Sequence, residues 1–111
     1  MYNYEQKRMR VNFRRSGGFA GLRSELEFET DSLPLEEQQE FQEYVNNASF
    51  FNLPESLLPS RRGGAADYYQ YRISIETPER KHSIVTTEFN ILPQLKPLIE
   101  YLTKKLEKQQ E

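Results

Sequence analysis

The sequence predicts an α+β domain: a four-stranded antiparallel sheet with two helices packed on one face, in the order ββα, loop, ββα. Two observations predict it. Apolar and polar residues alternate with period two in four short stretches, and apolar residues at helical spacing follow the second and the fourth of these. Each strand has one apolar side, so the sheet needs cover on one face only, and the two amphipathic helices can supply it. At 111 residues the chain has room for one domain with a single modest core.

The first strand begins near Met9, where Met9, Val11 and Phe13 alternate with Arg8, Arg10, Asn12 and Arg14. A glycine-rich stretch, Ser16-Gly17-Gly18-Phe19-Ala20-Gly21, interrupts it. Alternation then resumes with Leu22, Leu26 and Phe28 against Arg23, Glu25, Glu27 and Glu29, which makes the pair a hairpin. Ser32-Leu33-Pro34 announces a helix: Pro is tolerated in the first turn, and Glu36 and Glu37 suit the positive end of the helix dipole. Phe41, Tyr44, Val45 and Ala48 give that helix its apolar side. Phe50-Phe51-Asn52-Leu53-Pro54 reads as a flap folded back under it, with Pro54 stopping any continuation. Residues 55–66 read as a mobile surface loop.

The third strand carries Tyr69, Tyr71, Ile73 and Ile75 on its apolar side. After a turn at Thr77-Pro78-Glu79-Arg80, residues 82–87 supply the fourth strand, in which either Ile84 or Val85 faces the core. Leu95, Leu98, Ile99, Leu102 and Leu106 form one stripe of the last helix. Pro97 cannot donate an interior helical bond, so the regular helix is expected to begin near it, with Pro93 to Lys96 as a tighter lead-in turn. The expected organisation is a flexible extension over 1–6, one domain over 7–106 and a fraying tail over 107–111.

Composition removes several function classes. Without Cys there is no disulfide framework, thiolate zinc site, iron–sulfur cluster or cysteine nucleophile, and a single His leaves little metal chemistry. Neither metal nor cofactor is expected. No run of about 18 apolar residues is present, nor a secretory core in residues 1–12, so no membrane partner and a cytoplasmic location are expected.

The charge is unevenly distributed. Residues 1–24 hold six bases against one acid, whereas residues 25–55 hold nine acids and no base. A basic opening can recruit nucleic acid by counterion release. Here, however, Arg8, Arg10 and Arg14 occupy even positions and Glu25, Glu27 and Glu29 odd ones. Folding the hairpin sets cations beside anions on one exposed face, and no nucleic-acid partner is expected.

Enzyme readings fail on the residues. His82 has no second His and no Cys with which to bind a metal, and Ser16 has no base near it in sequence. Gly17, Gly18 and Gly21 precede a strand, so they do not form the glycine loop that sets a phosphate at a helix N-terminus. The glycine stretch stands out for another reason: a tight hairpin needs one or two glycines, and this one has three in six residues around Phe19. Either Phe19 tucks onto the sheet edge, or the loop displays it.

Five stretches together resemble the emfourin family over residues 8–103: Arg14-Arg15-Ser16-Gly17-Gly18-Phe19-Ala20-Gly21-Leu22, Thr30-Asp31-Ser32-Leu33-Pro34, Phe50-Phe51-Asn52-Leu53-Pro54, Tyr71-Arg72-Ile73-Ser74-Ile75 and Leu92-Pro93-Gln94-Leu95-Lys96-Pro97-Leu98. Emfourins are small bacterial protein inhibitors of protealysin and related thermolysin-like zinc metallopeptidases. The resemblance implies a non-enzymatic inhibitor that blocks the cleft of such an enzyme. It implies contact residues Gly17, Gly18, Phe19 and Ala20 with Arg14 and Arg15 as rim charges, and a second contact loop at Arg61, Arg62, Gly63 and Gly64. The competing reading is a protein-interaction adaptor that uses the exposed sheet face or edge. The expected state is a monomer or weak homodimer, the latter if the strand of Tyr68, Tyr69 and Tyr71 lies at an edge and pairs with a second copy.

Overall fold

A computed structural model describes residues 8–17, 22–58 and 68–110. Alternation sets the strands as the sequence predicts: β1 (Arg10–Gly17), β2 (Leu22–Glu29), β3 (Tyr69–Glu76) and β4 (Lys81–Thr87). All neighbours are antiparallel, in the order β2-β1-β3-β4. The register lines up whole rows of side chains across the four strands. Phe28, Val11, Ile75 and His82 form one inner row, and Leu26, Phe13, Ile73 and Ile84 the next. Val11, Phe13, Ile73, Ile75 and Ile84 are fully buried. Ile84 therefore faces the core, and Val85 lies on the other side of β4.

β3 is an interior strand, bonded to β1 and β4, so the condition for pairing a second copy through the strand of Tyr69 and Tyr71 is not met. β4 is the edge on that side, and it is partly covered. Val85 donates its N–H to Glu55 O at 2.9 Å, and Leu57 donates to Val85 O at 2.8 Å.

Both helices lie on the inner face. α1 (Leu35–Ala48) buries Phe41, Val45 and Ala48, and α2 (Lys96–Gln109) buries Leu98, Ile99, Leu102 and Leu106. Phe41 joins the layers, its ring 5.8 Å from Phe28 on β2 and 5.6 Å from Tyr101 on α2. The helices also share a polar seam, in which the Tyr101 hydroxyl donates to the Glu37 carboxylate and Lys105 Nζ lies 3.3 Å from it. Those contacts hold the Glu37 carboxyl below its ordinary pKa, the Tyr101 hydrogen bond foremost, while burial followed by the Glu37 hydrogen bond pushes the Tyr101 phenol up.

α1 stops at Ser49, which takes the left-handed conformation at φ 50°, and a short turn (Phe50–Asn52) folds back beneath it. Phe50 is buried, with its ring edge-on to His82 at 5.5 Å. His82 Nε2 sits 2.7 Å from Leu53 O, so this histidine is a bonded packing residue. A lead-in turn at Pro93–Leu95 precedes α2, as Pro97 requires. Residues 107–109 lie within α2 and make long-range contacts. Glu107 meets Arg15, and Gln109 Nε2 donates to Glu25 O at 3.1 Å. The expected extension over 1–6 lies outside the described residues.

Candidate functional site

One end of the sheet gathers the features that the sequence singles out. There Gly17 is paired with Leu22 of β2 on one side and Tyr69 of β3 on the other, closing the stem from which residues 18–21 continue. Gly17 has φ +90°, and a β-carbon placed on it would fall 2.6 Å from the carbonyl oxygen of Tyr68. Two independent constraints thus demand glycine: a left-handed backbone and a neighbouring main chain that leaves no room for a side chain.

The two arginines before the stem point to opposite faces because strand side chains alternate. On the open face, Arg14 Nη2 lies 3.4 Å from Glu25 Oε2, and Asn12 Nδ2 donates to the same oxygen at 2.8 Å. These bonds, Asn12 first and Arg14 second, hold the Glu25 carboxyl below its ordinary pKa. On the helix face, the Arg15 side chain is only 13% exposed. Its Nη1 lies 3.2 Å from Glu107 Oε2, and its guanidinium stands over the Tyr69 ring, 4.6 Å from the centroid. Both arginines are therefore committed to braces, one to β2 and one to α2. Gln110 adds a third tie, donating Nε2 to Ser24 Oγ at 2.7 Å.

Gly18, Phe19 and Ala20 lie outside the described residues, as do Arg61, Arg62, Gly63 and Gly64. The described residues that flank the first stretch are Gly17 and Leu22, and those that flank the second are Leu58 and Tyr68, the latter with its carbonyl oxygen beside Gly17.

That end also carries an exposed aromatic residue. Phe89, in the turn after β4, is 75% exposed, and its ring stands edge-on to Tyr68 at 5.5 Å. A single aromatic in a turn has no periodic partner, so the only sequence signal was a large apolar side chain between Glu88 and Asn90.

The opposite face is polar. Its first row, Glu29, Arg10, Glu76 and Lys81, alternates in sign across the four strands. Arg8 lies 3.3 Å from Asp31 and Arg10 4.0 Å from Glu29, so these cations of the basic opening face acids, as the charge pattern predicts. Among the described residues no cluster of three His, Asp or Glu could hold a metal ion, and no helix is long and apolar enough to cross a membrane.

Comparison with known proteins gives one family. The emfourin family model matches residues 13–103. Among curated proteins, none matches significantly. Among solved structures, emfourin (M4in) from Serratia proteamaculans, an M4 family peptidase inhibitor, is similar at 16% identity over 88% of this chain and 90% of that chain, with a TM-score of 0.45.

Proposed function

Because the chain belongs to the emfourin family, we propose that it blocks the active-site cleft of a thermolysin-like zinc metallopeptidase with the hairpin that Gly17 closes. Emfourins are inhibitors, and the chain is not an enzyme. The observation that carries the finer reading is the stem: glycine is obligatory at its last pair, and Arg14 and Arg15 brace it to β2 and α2.

Thermolysin-like peptidases prefer a bulky apolar side chain just after the scissile bond. Gly17-Gly18-Phe19-Ala20 offers such a residue between small ones, so the segment resembles a substrate. A stem fixed before binding lowers the ordering cost of association, and one aromatic anchor can carry much of the binding energy. A carbonyl of Gly17 or Gly18 is suited to the open position of the target's zinc, and the inhibitor itself needs no metal. Arg14 and Arg15 then stand at the rim of the contact, and the loop of Arg61 to Gly64 is a second contact. The location is cytoplasmic in this reading.

Titration of the purified chain against several thermolysin-like peptidases tests it. Saturable, reversible loss of peptidase activity is expected. No inhibition of any of them at micromolar excess would overturn the proposal.

A further inference from the structure

Phe89 is the most exposed large apolar side chain among the described residues, ahead of Leu35 at 64% and Leu58 at 40%. Scattered exposed apolar residues are common and need no explanation alone. This one differs in how its backbone is held. Glu88 donates its N–H to Tyr69 O at 3.0 Å, and the Tyr69 N–H donates to Glu88 Oε1 at 2.5 Å. On the other flank, Asn90 donates its N–H to Thr87 O at 3.1 Å and its Nδ2 to Leu57 O at 2.6 Å. Thr86 Oγ1 closes the turn on Asn90 O at 3.2 Å. The residues on both sides of Phe89 are thus pinned to β3, to β4 and to the strap that covers β4. The side chain between them stands outside the core.

Position gives this braced aromatic its meaning. Its ring neighbour is Tyr68, whose carbonyl oxygen occupies the space over Gly17. Phe89, Tyr68 and the hairpin stem are therefore consecutive contacts at one end of the sheet. Phe89 thus stands at the end of the sheet where Gly17 pairs with Leu22 and Tyr69.

We infer that Phe89, edge-on to Tyr68, is a second anchor for the same peptidase, seated in an apolar depression on the rim of its cleft. This rests on the function proposed above and deepens it: the hairpin supplies what many thermolysin-like enzymes accept, and Phe89 discriminates among them by the rim each presents. The fixed turn suits that role, since a side chain on a pinned backbone loses little freedom when it docks. Aromatic residues are enriched among positions that dominate binding.

The test compares inhibition constants of wild type, Phe89→Ala, Phe89→Tyr and Leu35→Ala against the peptidase the wild type inhibits best. Phe89→Ala is expected to weaken inhibition about 10- to 100-fold, mainly through faster dissociation, with an unchanged melting temperature. Phe89→Tyr should retain most of the affinity, and Leu35→Ala, also apolar and exposed but on α1, should retain all of it. Hydrogen exchange of residues 88–90 should slow on adding the peptidase. An unchanged inhibition constant for Phe89→Ala, or exchange at 88–90 indifferent to the peptidase, would overturn the second anchor while leaving the hairpin reading intact. A wild-type chain that inhibits nothing would remove both.

Discussion

Arg15 and Glu107 lie 92 positions apart in sequence, yet their side chains meet at 3.2 Å and join the end of β1 to the last turn of α2. The pair is asymmetric: Arg15 is 13% exposed and Glu107 58%. An exposed partner contributes little by charge alone, whereas Arg15 also stacks on Tyr69. Glu107→Ala is therefore expected to cost at most about 1 kcal/mol and Arg15→Ala about 1–2 kcal/mol. Urea denaturation of both variants checks the ordering.

Gly17→Ala should be worse than an ordinary strand substitution. The positive φ costs an L-residue about 1–2 kcal/mol, and the new methyl also meets the Tyr68 carbonyl oxygen. A loss of about 2–4 kcal/mol is expected, read as a lower midpoint in urea. Because the strain falls on the stem, inhibition should weaken as well, even at temperatures where the variant remains folded.

Ser49 gives the opposite sign. It ends α1 at φ 50°, its N–H donating to Asn46 O, the place where glycine is preferred. Ser49→Gly should stabilise the fold by about 0.5–1 kcal/mol, since the left-handed strain outweighs the entropy glycine adds to the unfolded chain. Thermal melting measures it.

The seam between the helices predicts a pH dependence with two limbs. Glu37 has its carboxyl held below the ordinary value of 4.5, first by the Tyr101 hydroxyl and then by Lys105. Its contribution is complete above that pH and is lost as the pH falls through the folded-state value. Tyr101 is shifted upward from 10.0, so its contribution is complete below pH 10 and is lost as the pH rises beyond it. Tyr101→Phe removes the hydroxyl from both limbs. Stability measured from pH 3 to 11 should fall less steeply at both ends in this variant than in the wild type.

The fold was legible where the pattern was local. Alternation in β1 and β2 gave the inner faces, and the opposed parity of Arg10, Arg14, Glu25 and Glu29 gave the outer one. What stayed hidden depended on distant partners. Both Ile84 and Val85 suit a strand, and only the register with Ile73 assigns Ile84 to the core. Nothing local in β3 says whether it is an edge or an interior strand; only the pairing with β1 decides that. Residues 107–109 of α2 include no apolar side chain, so nothing local says that Arg15 and Glu25 lie beside them. At the candidate site, the glycines were visible from the start, but the carbonyl of Tyr68 that makes one of them obligatory was not. Phe89 carried no periodic signal at all.

Phe19 gives the most direct test of hairpin entry into a peptidase cleft. The inhibition constants and melting temperatures of wild type and Phe19→Ala, measured side by side against one thermolysin-like enzyme, decide it. Entry predicts that Phe19→Ala melts with the wild type and inhibits at least about 30-fold more weakly, the equivalent of ~2 kcal/mol. Inhibition equal to wild type, with a lowered melting temperature, would make Phe19 a packing residue and contradict the assignment.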